Sequence, residues 1–278
     1  MKAIKDLGHE LVAAMDPHDS VGVLDQYFLD TDFFTEIERF DRHLDKLRRQ
    51  GNGIDYLVVC SPNYLHDAHI RFGLRLGADV ICEKPLVLNP WNLDALGEIE
   101  RETGRRVYTI MQLRLHPEVI KLKKKVEEGP KEKIYHVQLD YLTTRGKWYD
   151  YSWKGDVSKS GGILTNIGIH FFDMLIWIFG EAEAYTIGKM SPRYAEGRLR
   201  LARANVEWRL STDYDRLPEK VKAQGGLTYR ALMIDGEAFE FSGGFEDLHT
   251  RSYEEILAGK GFGVEDARSG VDAVGRMR

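Results

Sequence analysis

Two short, almost unbroken apolar runs, 54–60 (IDYLVVC) and 79–82 (DVIC), each lead directly into a polar loop and then into residues at helical spacing. A strand that is apolar on both sides has to be covered on both faces. Such strands, separated by helices of ten to fifteen residues, imply βαβ units and a parallel sheet. The neighbouring segments fit the same scheme. Residues 10–16 (ELVAAMD) form a short apolar run ending in an acid, and Phe40, Leu44 and Leu47 recur at helical spacing. The stretch 64–76 is amphipathic, 90–103 reads as a helix closed near Gly104, and 106–112 reads as another strand.

The second half has a different pattern. Residues 134–144 (IYHVQLDYLTT) alternate partially, which predicts an antiparallel strand with one solvated face. A strongly apolar helix follows at 163–179, with further strands at 183–189, 202–211, 229–235 and 237–241. Asp235-Gly236 is a hairpin turn signal. Helices at 247–258 and 264–277 close the chain. The change in pattern puts a boundary near Leu113, giving units of 1–112 and 113–278.

Composition excludes several classes. The net charge of −5 over 278 residues does not suit a nucleic-acid partner. The densest basic run, Lys121 with Lys123, Lys124 and Lys125, is interrupted by Leu122 and followed by acids, as on a solvated helix face. Cys60 and Cys82 both lie in apolar runs without a CxxC, so both are expected as buried thiols in a reducing compartment. The longest apolar stretch, 171–179, is short and carries Asp173, so no membrane span is expected and the cytoplasm is the predicted location.

Three segments carry chemistry. Cys60-Ser61-Pro62-Asn63 follows a buried strand. Ser61 suits a helix N-cap and Pro62 a first helical position, and capping alone would account for both. Ligands of open α/β sheets also sit at the carboxyl ends of strands, which would bring this loop and His66, one turn on, to a cofactor. His66 and His69 are three apart, but no further ligand cluster accompanies them and no metal is expected. Glu83-Lys84-Pro85 follows the next strand, where a lysine reaches either solvent or a cleft. In GGILTNIGIH, Asn166 and His170 are four apart on one helical face, close to Gly161, Gly162 and Gly168. Glycine there permits close approach of backbone or ligand.

The order CSPNYLH, CEKP, GGILTNIGIHFFDML resembles the glucose–fructose oxidoreductase/inositol dehydrogenase (Gfo/Idh/MocA) family along nearly the whole chain. CEKPLVLNPWNLDAL, MQLRLHP, RGKWYDYSWKGD and FSGGFEDLHTRSYEEIL are similar more narrowly to UDP-N-acetylglucosaminuronate 3-dehydrogenases. The resemblance implies an NAD-binding Rossmann domain followed by an α/β domain with a largely antiparallel open sheet. It implies oxidation at C3 of a UDP-sugar acid, on the way to diacetamido-uronic acids of bacterial surface polysaccharides. Lys84 would hold the reacting hydroxyl, His170 would be the general base, and Asn166 would orient the sugar where many members carry aspartate. Asp16, Cys60, Ser61, Pro62, Asn63, His66, Glu83, Lys84 and Gln112 would line the cofactor. Arg114, Arg145 and Lys159 are candidates for the substrate carboxylate or diphosphate, or else surface cations. Trp148, Tyr149 and Trp153 would flank the uracil or sugar, with at least one of them a core residue. Relatives cover their open sheet by forming homo-oligomers, so a dimer or tetramer is expected. Two rival readings are a family member that binds nucleotide sugar without catalysis and an NAD-dependent glycosidase on the same fold.

In dinucleotide-binding units an acid about 20 residues beyond the glycine fingerprint contacts the adenosine ribose, and Asp16 occupies that place. Counted back from Asp16, the fingerprint would fall before Met1, and no GxGxxG occurs elsewhere. The expectation is therefore either a native protein that begins further upstream, the reading preferred because every later segment is intact, or a damaged copy. Residues 2–7 read as the end of its first helix, with Gly8 as the C-cap.

Overall fold

The computed structural model describes residues 1–19, 22–241 and 243–278. Ser242, within the 241–257 run, thus lies outside the described residues.

The first half contains α1 (Lys2–Asp6), β1 (Ala13–Met15), β2 (Asp32–Phe34), α2 (Ile37–Arg49), β3 (Tyr56–Val59), α3 (His66–Arg75), β4 (Asp79–Cys82), α4 (Trp91–Thr103) and β5 (Val107–Thr109). Every pairing among these strands is parallel: β1 with β2, β3 with β4, and β4 with β5. The two ladders are not hydrogen-bonded to each other. One core nevertheless serves both, because Ala13, Met15 and Phe34 pack against the cluster that contains Leu57, Val59, Val80 and Leu93. The C-cap of α1 is Leu7, and Gly8 follows it at φ 74°. Strand β2 escaped the sequence reading because it is three residues long and begins with an exposed acid. The strand expected at 106–112 stops at Thr109, and Gln112–Leu115 forms a 3₁₀ turn instead.

The second half contains α5 (Pro117–Glu128), β6 (Tyr135–Thr143), α6 (Trp148–Tyr151), α7 (Val157–Ser160), α8 (Ile169–Phe179), β7 (Ala182–Ser191), β8 (Tyr194–Leu201), β9 (Ala204–Ser211), α9 (Glu219–Ala223), β10 (Thr228–Ile234), β11 (Glu237–Ala238), α10 (Leu248–Leu257) and α11 (Val264–Met277). Six strands form one sheet in the order β11-β10-β6-β9-β8-β7. All neighbours are antiparallel except β6 and β9. The expectation for β6 is therefore corrected: it is antiparallel to β10 on one side and parallel to β9 on the other. Strand β8 was missed because its inward face begins with the small residues Ala195 and Gly197, so apolar alternation against Glu196, Arg198 and Arg200 shows only over its second half. Asp235 and Gly236 both take positive φ, 52° and 84°, as a tight hairpin turn requires.

The inner face of this sheet, with Leu139, Leu199, Val206, Trp208 and Leu210, packs against α8. Nine of the eleven residues of α8 are buried. The helical stretch Val157–Phe179 is apolar and long enough to cross a membrane by length and composition, but 78% of its apolar window is buried inside the fold. Burial of this kind identifies a core helix. The last helix, α11, joins the two halves: Val264, Ala267 and Val271 enter the first core, and Ala273, Val274 and Met277 enter the second.

Candidate active site

Strands β3 and β4 end side by side, so their following loops share one sheet edge. The first loop differs from the capping expectation. Pro62 stays extended, with ψ 142°, the turn starts as a 3₁₀ helix at Asn63, and α3 begins at His66. The Ser61 hydroxyl bonds to His69 Nδ1 at 2.9 Å, so it caps nothing. Cys60 is exposed at the rim, which corrects the expectation of two buried thiols; Cys82 is buried. Asn63 and His66, expected at the cofactor, are 4% and 1% exposed and bind protein groups. Asn63 Nδ2 donates to the Ser160 carbonyl at 2.8 Å. His66 lies between the carbonyls of Pro85 (2.7 Å) and Ser61 (2.9 Å), which ties the two loops together.

The second loop brings Lys84 into the cleft. Its Nζ donates to the Asn166 carbonyl at 2.7 Å. Asn166 lies in a π-helical turn, Leu164–Gly168, that precedes α8 where a plain helix was expected. Such wide turns occur frequently at functional sites. Gly161 at φ 78° starts the approach to that turn. Gly168 packs so closely that a Cβ would sit 2.6 Å from the Phe172 ring. It thereby allows close packing of the helix on the sheet, against Phe172 and Leu210. Lys84, Thr109, Met111, Ile169, His170 and Asp173 are among the residues lining one small cavity of about 20 Å³ between the halves.

Charge in this cleft is predominantly positive. Burial, helped by the charge of Lys154, pulls the Lys84 ammonium down to about 8 against the pull of Glu83. Burial, with the charges of Lys84, His249 and Arg230, pushes the His170 imidazole well below its ordinary value. No hydrogen bond holds the His170 ring among the described residues. Burial pushes Glu83 up, but the hydrogen bond from His249 and the Lys84 charge outweigh it and hold the carboxyl below its usual range.

The remaining candidates separate clearly. Arg114 is not available to a substrate: it is buried, forms a two-pronged pair with Asp173 at 3.0 and 2.7 Å, and donates to the Asp266 carbonyl. Lys159 is a surface lysine 3.4 Å from Asp156. Arg145 is half-buried at the end of β6, and its guanidinium has no partner among the described residues. Tyr149 is buried, and its hydroxyl accepts from Asn166 Nδ2 at 3.3 Å, while Trp148 is 52% exposed. Lys154, Arg230 and His249 were missed by the sequence reading. Lys154 rests over the rings of Trp148 and Trp153 at 5.4 and 5.6 Å. Lys154 and His249 lie inside two of the family-like runs without having been singled out there, Arg230 lies in none, and the fold brings all three near Lys84 and His170.

Several groups suit a dinucleotide. Gln112 Oε1 and Thr109 Oγ1 are buried at the sheet edge without a partner, as acceptors awaiting an amide would be. Asp16 follows β1 directly, and one of its oxygens accepts from the His18 main chain at 2.9 Å. No group of three or more residues able to hold a metal occurs among the described residues.

Residues 2–111 match the family described as "Oxidoreductase family, NAD-binding Rossmann fold", and residues 123–209 match "Oxidoreductase family, C-terminal alpha/beta domain". The structure is similar to that of the WlbA (WbpB) dehydrogenase from Thermus thermophilus in complex with NAD and alpha-ketoglutarate, at 48% identity and a TM-score of 0.95, covering 99% of this chain and 88% of that one. The same enzyme in complex with NAD and UDP-GlcNAcA is similar at 47% identity, with a TM-score of 0.95, covering 99% and 89%. Among curated proteins, the inositol 2-dehydrogenase of Rhizobium meliloti is 28% identical over 131 residues, 46% of this chain and 37% of that protein. A putative UDP-kanosamine synthase oxidoreductase subunit from Amycolatopsis mediterranei is 30% identical over 150 residues, 54% and 41%. The chain thus matches well under half the length of these curated relatives. Two matched domains in series and a near-full-length structural relative at 48% identity establish that this chain belongs to the Gfo/Idh/MocA oxidoreductase family.

Proposed function

We propose that the protein oxidises the C3 hydroxyl of a UDP-N-acetyl-hexosaminuronic acid with NAD, in the synthesis of diacetamido-uronic sugars for surface polysaccharides. The observation that carries this reading is that Lys84 and His170 come from opposite halves of the chain to line one cavity. Residues 1–112 would hold the cofactor and 113–278 the sugar.

NAD, when bound, accepts the hydride that leaves C3; Asp16, the 60–63 loop and Gln112 would hold it. His170, kept neutral by its burial and cationic neighbours, takes the hydroxyl proton on a ring nitrogen. Lys84, still mostly ammonium at neutral pH, donates to the hydroxyl oxygen and stabilises the charge that develops there. Because Asn166 Nδ2 donates to the Tyr149 oxygen, the phenol hydrogen remains available to the sugar. A cleft that gathers Lys84, Lys154 and Arg230 around His170 favours a sugar that carries negative charge. The enzyme would work in the cytoplasm as a dimer or tetramer, with the outer face of the six-stranded sheet covered by another copy.

Incubation with UDP-GlcNAcA and NAD tests this directly. NADH together with a 3-keto sugar nucleotide is the expected result. Release of the sugar would indicate a glycosidase, and bound ligand without any product would indicate a binding protein.

A further inference from the structure

Arg230 is half-buried on the sheet of the second half, near enough for its charge to act on His170. It lies on β10 opposite Tyr141 of β6, on the face that two residues later carries buried Leu232. Three rings surround its guanidinium, Phe245 at 4.6 Å, Tyr141 at 5.5 Å and Phe241 at 5.6 Å. The Tyr141 ring in turn meets Phe171, next to His170, at 4.9 Å. Arg230 Nε is buried and bonds to nothing, and no carboxylate pairs with this side chain among the described residues. Arg114 differs in being paired with Asp173, and Arg203, whose Nε is also unbonded, differs in giving its terminal nitrogens to the carbonyls of Val126 and Pro130.

We propose that Arg230 is the residue that reads the anionic end of the substrate, closing its fork on a carboxylate or phosphate that enters the cleft beside His170. This rests on the function proposed above and names a specificity-determining contact for it. A desolvated donor without an acceptor is a standing cost that an incoming oxygen relieves. A planar guanidinium offers two parallel N–H groups, the geometry that both carboxylate and phosphate accept. The aromatic walls hold the fork in place before the ligand arrives, so little freedom is lost on binding. A site built to satisfy such a group rejects analogues that lack it.

Calorimetric titration of the wild type, Arg230→Met and Arg230→Lys with UDP-GlcNAcA, UDP-GlcNAc and UDP tests the assignment, with melting temperatures as the control for folding. Arg230→Met is expected to weaken UDP-GlcNAcA binding about a hundredfold, as loss of one partner of a buried charged contact does. Arg230→Lys, which keeps the charge and loses the fork, should fall in between. If the loss disappears with UDP-GlcNAc, the partner is the sugar carboxylate; if it persists with UDP-GlcNAc and UDP, the partner is the diphosphate. Unchanged affinity of a folded variant for all three ligands overturns the proposal alone. Failure of the wild type to bind UDP-GlcNAcA overturns the proposed function and this inference with it.

Discussion

Lys84 Nζ donates to the main-chain carbonyl of Asn166 at 2.7 Å, joining the strand-end loop of the first half to the π turn that leads to His170. The Lys84 ammonium is thus positioned by the backbone, and in the proposed mechanism its remaining hydrogens would serve the substrate hydroxyl beside His170.

The Lys84→Met and His170→Asn variants are expected to lose about 10²–10⁴ in turnover each, the usual cost of removing one acid–base group. Their circular dichroism should match the wild type. Near-normal turnover in either variant removes that residue from the mechanism.

The pH dependence has a definite sign. The proposed mechanism needs neutral His170, and its depressed pKa makes that form available well into the acid range. The same mechanism needs Lys84 as ammonium, a form that is lost as pH rises through about 8. kcat/KM should therefore fall on the alkaline side near pH 8. Lys154→Gln removes one of the charges that depress Lys84, so the alkaline limb should move to higher pH. An alkaline limb that stays in place in this variant shows that Lys154 does not act on Lys84.

NAD is expected to bind more tightly than NADP, because a carboxylate at the end of β1 repels a 2′-phosphate. Asp16→Ala should narrow the difference. Equal or tighter binding of NADP by the wild type would contradict the role given to Asp16.

Arg114 and Asp173 form a buried pair, with side chains only 6% and 8% exposed. Asp173→Ala leaves a buried guanidinium without its counter-charge and should cost about 3–5 kcal/mol. Urea unfolding measures this; a loss below about 1 kcal/mol would mean that the pair is solvated.

The outer face of the six-stranded sheet holds an open concavity of about 680 Å³ that includes Tyr185, Arg198, Arg200 and Glu207. Sedimentation at micromolar concentration should show dimers or tetramers, and Tyr185→Glu should increase the monomer fraction. A monomeric wild type would exclude association through this face.

The sequence by itself determined the layer order of this protein. Continuous apolar runs such as 54–60, short and rich in β-branched residues, fit strands covered on both faces, and the 3.6-residue spacing from Phe40 to Leu47 fits a helix that covers them. It also singled out Lys84, Asn166 and His170, since strand-end loops and helical faces place their residues by local periodicity. Tertiary structure alone decided which cations face the cleft. Arg114 and Arg230 look alike in sequence, yet one is neutralised by Asp173 and the other faces three rings with nothing to bind. The Arg114–Asp173 pair joins residues 59 positions apart, and Tyr141 meets Arg230 from a different strand, so no local pattern encodes either contact. The parallel β6–β9 pairing was hidden for the same reason: register between strands far apart in the chain is set by the sheet they build together.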